Sequence, residues 1–429
     1  MTVHILTLGC SKNLVDSEHL LAQFRASGYK VLHNAYEKDA DVVIINTCGF
    51  ILDAKVESVN TILSYIEEKQ RGNIRKLFVM GCLSERYRDE LTEEIPEVDG
   101  FYGVWEMPAI LEAMGSKLDR HLLHERELTT PSHYAYLKIS EGCNRTCAFC
   151  AIPGIRGTQL SIPVEELLKE SNALTNKGVK ELILIAQDLT NYGIDLYGKR
   201  ALPDLLKELV KIEDLEWIRL HYAYPTGFPE EVIDLMAAEE KICNYMDIPI
   251  QHVDDKILAA MGRGHDRVKL ERLLHQFRKQ IPDVALRTTV LTGFPGETEE
   301  SFSELLEFVR EFRFDRLGVF PYSHEEGTPA FKKFKDIIPD RIKSRRANAI
   351  MELQQEISLQ LNEEKVGKRY KVLIDRREEE HFVGRTQYDS PEVDNEVLLP
   401  LDREVTIGHF YQVKITGGDE FDLYGTLEE

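Results

Sequence analysis

Glu141-Gly142-Cys143-Asn144-Arg145-Thr146-Cys147-Ala148-Phe149-Cys150 is the stretch on which the fold turns. It follows an apolar run at 135–140 that reads as a β-strand, so three thiols sit on a loop at the strand's C-terminal end with Cys-x3-Cys-x2-Cys spacing. Three thiolates can hold three irons of a four-iron, four-sulfide cluster and leave the fourth open to an outside ligand, unlike the four-cysteine sets of electron-transfer ferredoxins. A zinc knuckle needs a fourth donor, and residues 151–180 contain neither Cys nor His.

Downstream, further apolar runs at 181–186, 217–222, 245–250, 286–293 and 317–322 alternate with amphipathic stretches. Six strands at spacings of roughly 30 to 45 residues predict repeated βα units, hence a partial or full barrel with its site at the C-terminal strand ends. Such a barrel of six units stays open on one side. Gln187 and Asp188, just past the second barrel strand, and Glu297, in the turn after the fifth, are placed to contact cofactor or substrate. The turn glycines beside Glu297 are equally explained by backbone geometry. Cys243 reads as a structural free thiol in a helix-to-strand connection.

Upstream, runs at 3–9, 41–48, 76–82 and 100–104 read as strands of an open parallel α/β domain. Cys10, Cys48 and Cys82 each stand at the end of one of them. Taken singly, each reads as a buried structural cysteine. In an open parallel sheet, however, ligands sit at the C-terminal edge, so three thiols at three such ends are expected to converge as a second three-thiolate site. Gly9 and Gly81 suit a close approach of backbone to a bulky cluster.

The expected division of the chain is a cluster domain at 1–116, a charged, histidine-rich linker at 117–133, the barrel with a long helical extension at 134–365, and a small antiparallel β-barrel at 366–429. The last is read from short alternating runs at 370–374, 381–383, 396–399 and 411–415. The composition, 43% hydrophobic and 30% charged, argues against extended disorder. The N-terminus lacks a basic n-region, and no apolar run approaches the roughly 18 residues of a membrane span, so a cytoplasmic protein is expected. Seven cysteines in 429 residues do not form a disulfide framework. No phosphate-binding Gly-x4-Gly-Lys-Ser loop and no recognisable Ser-His-Asp arrangement occurs.

The formal charge of −21 disfavours gripping a phosphate backbone and suits a basic partner, although acidity also serves solubility. From 366 to 429, 8 Lys and Arg stand against 15 Asp and Glu, a net −7. Two basic runs, at 332–335 and 341–346, read as a solvated loop and helix face, with contact to RNA as the alternative.

With both cysteine sets present, the whole chain resembles the methylthiotransferase family of radical S-adenosylmethionine enzymes. The resemblance is carried by Gly142 to Pro153, by Arg156-Gly157 and by Gly293-Phe294-Pro295-Gly296-Glu297-Thr298. It implies two 4Fe-4S clusters, one on Cys10, Cys48 and Cys82 and one on Cys143, Cys147 and Cys150. It also implies S-adenosyl-L-methionine chelated by the open iron near Phe149, and a C-terminal barrel of the TRAM type. Within the family, the segment from Gly9 to Glu18 and His221-Tyr222-Ala223-Tyr224-Pro225 resemble the branch that methylthiolates the β-carbon of an aspartate in small-subunit ribosomal protein S twelve. The alternative is the branch acting on a modified adenosine of tRNA. The implied partners are that ribosomal protein, an electron donor such as flavodoxin or ferredoxin, and a sulfur donor, with no membrane.

Overall fold

The computed structural model describes residues 1–35 and 40–428. Its N-terminal sheet is built from β1 (Thr2–Thr7), β2 (Lys30–His33), β3 (Val42–Thr47), β4 (Lys76–Gly81) and β5 (Gly100–Tyr102), all parallel, in the order β2-β1-β3-β4-β5. Because β3 is buried on both sides, its run Val-Val-Ile-Ile-Asn-Thr shows no alternation. Val42 and Ile44 pack with Leu20, Leu21 and Phe24 of helix α1 (Ser11–Ala26); Val43 and Ile45 pack with Ile62 and Tyr65 of α2 (Leu52–Gln70). This strand order reverses direction between β1 and β3, the switch point at which ligands bind beyond the carboxyl ends of strands. The strands end one to three residues earlier than their cysteines. Cys10 follows β1 through Leu8 and Gly9, Cys48 comes directly after β3, and Cys82 is the first residue of α3 (Cys82–Glu94).

Segment 117–133 is docked rather than free. Arg126 is buried against Glu18 of α1 and Glu170 of helix Val164–Asn176, and the Thr129 N–H donates to Glu18 Oε1 at 2.7 Å. The short helix α4 (Met107–Ala113) precedes it.

The central sheet uses β6 (Tyr134–Lys138), then a two-stranded pair β7 (Ser140–Glu141) and β8 (Leu160–Ser161) flanking helix α5 (Ile152–Arg156), then β9 (Glu181–Ile185), β10 (Trp217–Leu220), β11 (Ile242–Asp247), β12 (Ala285–Thr292) and β13 (Arg316–Pro321). Six parallel strands in the order β13-β12-β11-β10-β9-β6 form the expected open barrel. Cys243 is corrected by the structure: it lies in β11, fully buried beside Trp217 and Tyr245, not in a connection. Tyr136, Ile183 and Ile185 face inward and pack against Val15 of α1, so the first helix of the N-terminal domain covers part of the barrel's interior.

Helix Asp340–Glu363 leads to a closed barrel of β14 (Arg369–Arg377), β15 (His381–Arg385), β16 (Val397–Pro400), β17 (Phe410–Gly418) and β18 (Leu423–Leu427). Its neighbours are antiparallel except β16 and β18, which run parallel because β18 turns back from β17 and slots in beside β16. The basic run 341–346 is only partly a solvated face: Lys343 and Arg346 are buried, paired with Asp336 and Glu297.

The loop between β15 and β16 plugs the open barrel. Asp389 pairs with Arg316, Asp394 accepts from Tyr245 and faces Arg287, Ser390 bonds His221, and Arg385 holds Glu181 of β9 together with Asp375. Burial alone would raise Glu181, Asp375 and Asp389, but the guanidiniums of Arg385, Arg219 and Arg316 outweigh it and hold all three below the ordinary carboxylate range. A depressed carboxylate contributes stability above its unfolded value, and that contribution disappears as pH falls through the folded one. The urea midpoint should therefore drop as pH is lowered below about 4. Arg385→Met, which leaves buried Glu181 to Arg219 alone and buried Asp375 to His133 alone, should cost about 3 kcal/mol in the same urea titration at neutral pH. An unchanged midpoint would show that the ion pairs of Arg385 add nothing to stability.

Candidate metal centres

The first trio gathers at the sheet's switch point. Thr47 and Gly81 are lateral neighbours across β3 and β4, so Cys48 and Cys82 leave adjacent strand ends. Gly9 and Gly81 have φ of +88° and +97°, and a Cβ on Gly9 would stand 2.8 Å from that of Cys48. A side chain there would push Cys48 out of the trio. Asn13 laces the rim: its Nδ2 donates to Leu8 O at 2.8 Å and Thr47 O at 3.0 Å, and its Oδ1 faces the Cys82 thiol at 3.8 Å. Burial pushes the Cys82 thiol up to about 11, opposed in part by Arg156, and raises Cys48, with Cys10 adding to both. Free thiols in this state hold their protons, which a metal must displace.

The second trio is fastened to the barrel mouth. The Ala148 N–H donates to Met261 O at 2.8 Å, the Ala330 N–H to Ala148 O at 2.7 Å, and the Cys143 N–H to Gly157 O at 3.1 Å. Burial pushes Cys143 up to about 11 and Cys150 up to about 12, each raised further by the neighbouring thiols of the trio. The Arg263 Nη1 donates to Cys147 Sγ at 3.4 Å, and the Tyr224 ring lies between the guanidiniums of Arg145 and Arg263, 4.0 and 4.2 Å from its centroid. No three Cys, His, Asp or Glu donors among the described residues close on a single-ion position.

Four other candidates read from the sequence lie around this mouth, in different roles. The Gln187 Nε2 donates to Glu141 Oε1 at 2.5 Å, while its Oε1 is buried without a protein partner, a polar atom left for a bound group. Asp188 is committed to protein: it accepts from Arg145 Nε at 2.6 Å and from Thr190 N at 2.9 Å, and so orients the cysteine loop. Glu297 accepts from the Gly293 N–H and from Arg346 Nη1, each at 2.7 Å, which ties the turn after β12 to helix Asp340–Glu363. Phe149 packs at the edge of an apolar cluster with Ile257, Met261 and Phe294.

Between the trios lies a buried charge cluster that spacing did not disclose. Arg156, 2% exposed on α5, donates to Cys82 Sγ at 3.4 Å, Asn13 Oδ1 at 2.5 Å, Glu141 at 2.8 Å and Asp16 at 3.2 Å. Lys138 bridges the same Asp16 and Glu141. Arg156-Gly157 was visible as a motif, but nothing local marks its guanidinium as the joint between the two domains. Lys12 and Tyr222 were likewise only parts of longer segments.

Known proteins resemble this chain over nearly its whole length. The model of the radical SAM superfamily covers residues 137–309, that of the uncharacterized protein family UPF0004 residues 2–103, and that of the TRAM domain residues 366–427. The barrel with its three-cysteine loop makes the chain a radical S-adenosylmethionine enzyme, with an iron–sulfur cluster and S-adenosylmethionine as cofactors. A curated relative from Flavobacterium psychrophilum, ribosomal protein uS12 methylthiotransferase RimO, is 56% identical over 99% of this chain and 97% of its own, and its Phocaeicola vulgatus counterpart is 51% identical over 99% of each. The chain belongs to the RimO family of ribosomal protein uS12 methylthiotransferases. Among solved structures, the radical S-adenosylmethionine methyltransferase TsrM from Kitasatospora setae has a similar fold, with a TM-score of 0.57, 14% identity, and coverage of 88% of this chain and 79% of that one.

Proposed function

We propose that the chain methylthiolates the β-carbon of an aspartate of ribosomal protein uS12, with Cys10, Cys48 and Cys82 holding one 4Fe-4S cluster and Cys143, Cys147 and Cys150 another. The observation that carries this reading is Arg156. It stands six residues beyond the second trio and touches a thiol of the first, which supports two three-thiolate sites facing one interdomain cleft. When bound, S-adenosylmethionine supplies both the methyl group and the 5′-deoxyadenosyl radical that removes hydrogen.

The protein's part is geometry and exclusion of water. Glu141 and Asp16 neutralise Lys138 and Arg156 between the sites, Gln187 Oε1 and Phe149 line the cofactor side, and Asp188 and Glu297 hold the loops that carry it. Residues 1–116 would be the cluster domain, 117–133 the joining segment, 134–365 the radical barrel and 366–429 the TRAM barrel. The −7 charge of the last suits a basic ribosomal protein. An electron donor of the flavodoxin or ferredoxin kind and a sulfur donor complete the partners. No helix among the described residues is long and apolar enough to cross a membrane, and the site of action is the cytoplasm, where ribosomes are modified.

Mass spectrometry of ribosomal proteins and tRNA from a deletion strain tests the reading. The uS12 methylthio group should vanish while tRNA keeps its own; the opposite result would transfer the enzyme to tRNA. A second expectation concerns Arg263. Hydrogen bonds to cluster sulfur raise reduction potential, so Arg263→Met should lower the loop cluster's midpoint by roughly 65 mV. That is the one-electron equivalent of a charge-assisted hydrogen bond of about 1.5 kcal/mol. A redox titration followed by electron paramagnetic resonance reads the shift.

A further inference from the structure

Lys12 is a buried cation without an anion. It is 8% exposed, and its ammonium lies 3.3 Å from the centroid of the Tyr222 ring. Among the described residues it has neither an ion pair nor a hydrogen bond. The other two cations of the cleft are matched, since Lys138 and Arg156 share Asp16 and Glu141. Arg145 is matched by Asp188, and Arg263 by the sulfur of Cys147. Among the described residues, Lys12 is thus left without a counter-ion within salt-bridge distance, at the join between α1 and the barrel mouth.

Its placement is costly in two further ways. Lys12 is the second residue of α1, where the helix dipole repels a cation. Tyr222, the ring beneath it, holds a left-handed backbone with φ of +64°, a conformation that bulky residues avoid. That backbone is fastened by an N–H donated to Asp247 Oδ2 at 3.1 Å, and its neighbour His221 is bonded to Ser390 of the plug. A desolvated ammonium kept unpaired, over an aromatic face held in strain, is what a site looks like before an anionic ligand completes it.

The geometry points to Lys12 as the anchor of the substrate's carboxylate, with Tyr222 as the positioning residue that aims it. The inference rests on the aspartate reading above and names the group that recognises that side chain. In an aspartate the reacting β-carbon is bonded directly to the carboxyl carbon, so a salt bridge to either oxygen fixes the reacting atom at the cleft between the trios. An asparagine of the same shape carries no charge to meet the ammonium, and a glutamate would carry its β-carbon one bond too far.

The test uses the anaerobically reconstituted full chain and a synthetic peptide spanning the modified aspartate of uS12, beside the same peptide with asparagine in its place. Affinity is read by fluorescence anisotropy and turnover by mass spectrometry. Wild-type enzyme should bind the aspartate peptide at least about 30-fold more tightly than the asparagine peptide. Lys12→Gln should weaken the aspartate peptide by a similar factor, leave the asparagine peptide unaffected and so erase the preference. Should Lys12→Gln lose its iron, Tyr222→Leu carries the same comparison and should narrow the preference. Equal binding of both peptides by wild type, a preference that survives both substitutions, or a loss confined to S-adenosylmethionine affinity would each overturn the assignment. Wild-type enzyme that leaves the aspartate peptide unmodified would instead refute the function on which the assignment rests.

Discussion

Replacing Cys10, Cys48 and Cys82 together by alanine should yield an enzyme that still releases 5′-deoxyadenosine from S-adenosylmethionine but forms no methylthiolated product, a loss of at least about 1,000-fold. The division follows from the architecture. The two donor sets belong to different sheets, and the loop from Cys143 to Cys150 is held by Met261, Ala330 and Gly157, none of which touches the first trio. The barrel's site should therefore assemble without it. Iron content should fall from about eight to about four per chain, because each cubane brings four. Cys147→Ala, by contrast, should remove both activities. Methylthiolated uS12 from the triple variant would refute the role given to the N-terminal site.

Arg156→Met should be the most damaging single change outside the cysteines. It removes one guanidinium from a cluster in which Asp16 and Glu141 are balanced by Arg156 and Lys138, and leaves two buried carboxylates sharing one ammonium. Breaking a buried pair in this way costs about 3–5 kcal/mol. Since Asp16, Asn13 and Cys82 belong to the N-terminal domain and Glu141 to the barrel, the loss falls on the contact between them. A lower melting temperature should accompany a fall of at least about 100-fold in methylthiolation. Arg156→Lys should recover little, because an ammonium cannot present several fixed donors to four partners at once. Should Arg156→Met melt and turn over as wild type does, the two domains are held together by other means.

How legible the fold was depended on the kind of signal each element carries. Strands β1, β3 and β4 announce themselves as apolar runs because parallel strands are covered on both faces. Strand β2, Lys-Val-Leu-His, is a short, half-exposed edge strand and leaves no such trace. Strand β18 is five residues of alternating burial around a glycine, and it too went unread. Cys243 reads as part of a connection because the apolar run begins at Tyr245, three residues after the strand does, and Lys343 and Arg346 read as solvated because the partners of a charged run lie far away in the chain.

The site divides in the same way. Asp188 and Glu297 were found by their position at strand ends, but their carboxylates turned out to be spent on protein partners, Arg145 in one case and Arg346 in the other. The plug formed by Asp389, Ser390 and Asp394 had no signal at all. Each of its contacts joins residues far apart in the chain, and such pairing imposes no period on the sequence.

Sequence alone determined the two cysteine trios: close spacing puts three thiols on one loop, and the rule that parallel strands point their carboxyl ends the same way brings the other three to one edge. Tertiary structure alone decided what stands between them. Arg156, Lys138 and the unpaired Lys12 acquire their meaning from burial and from charges brought near across a domain boundary, and the energy of a charge depends on its surroundings rather than on its neighbours in the chain.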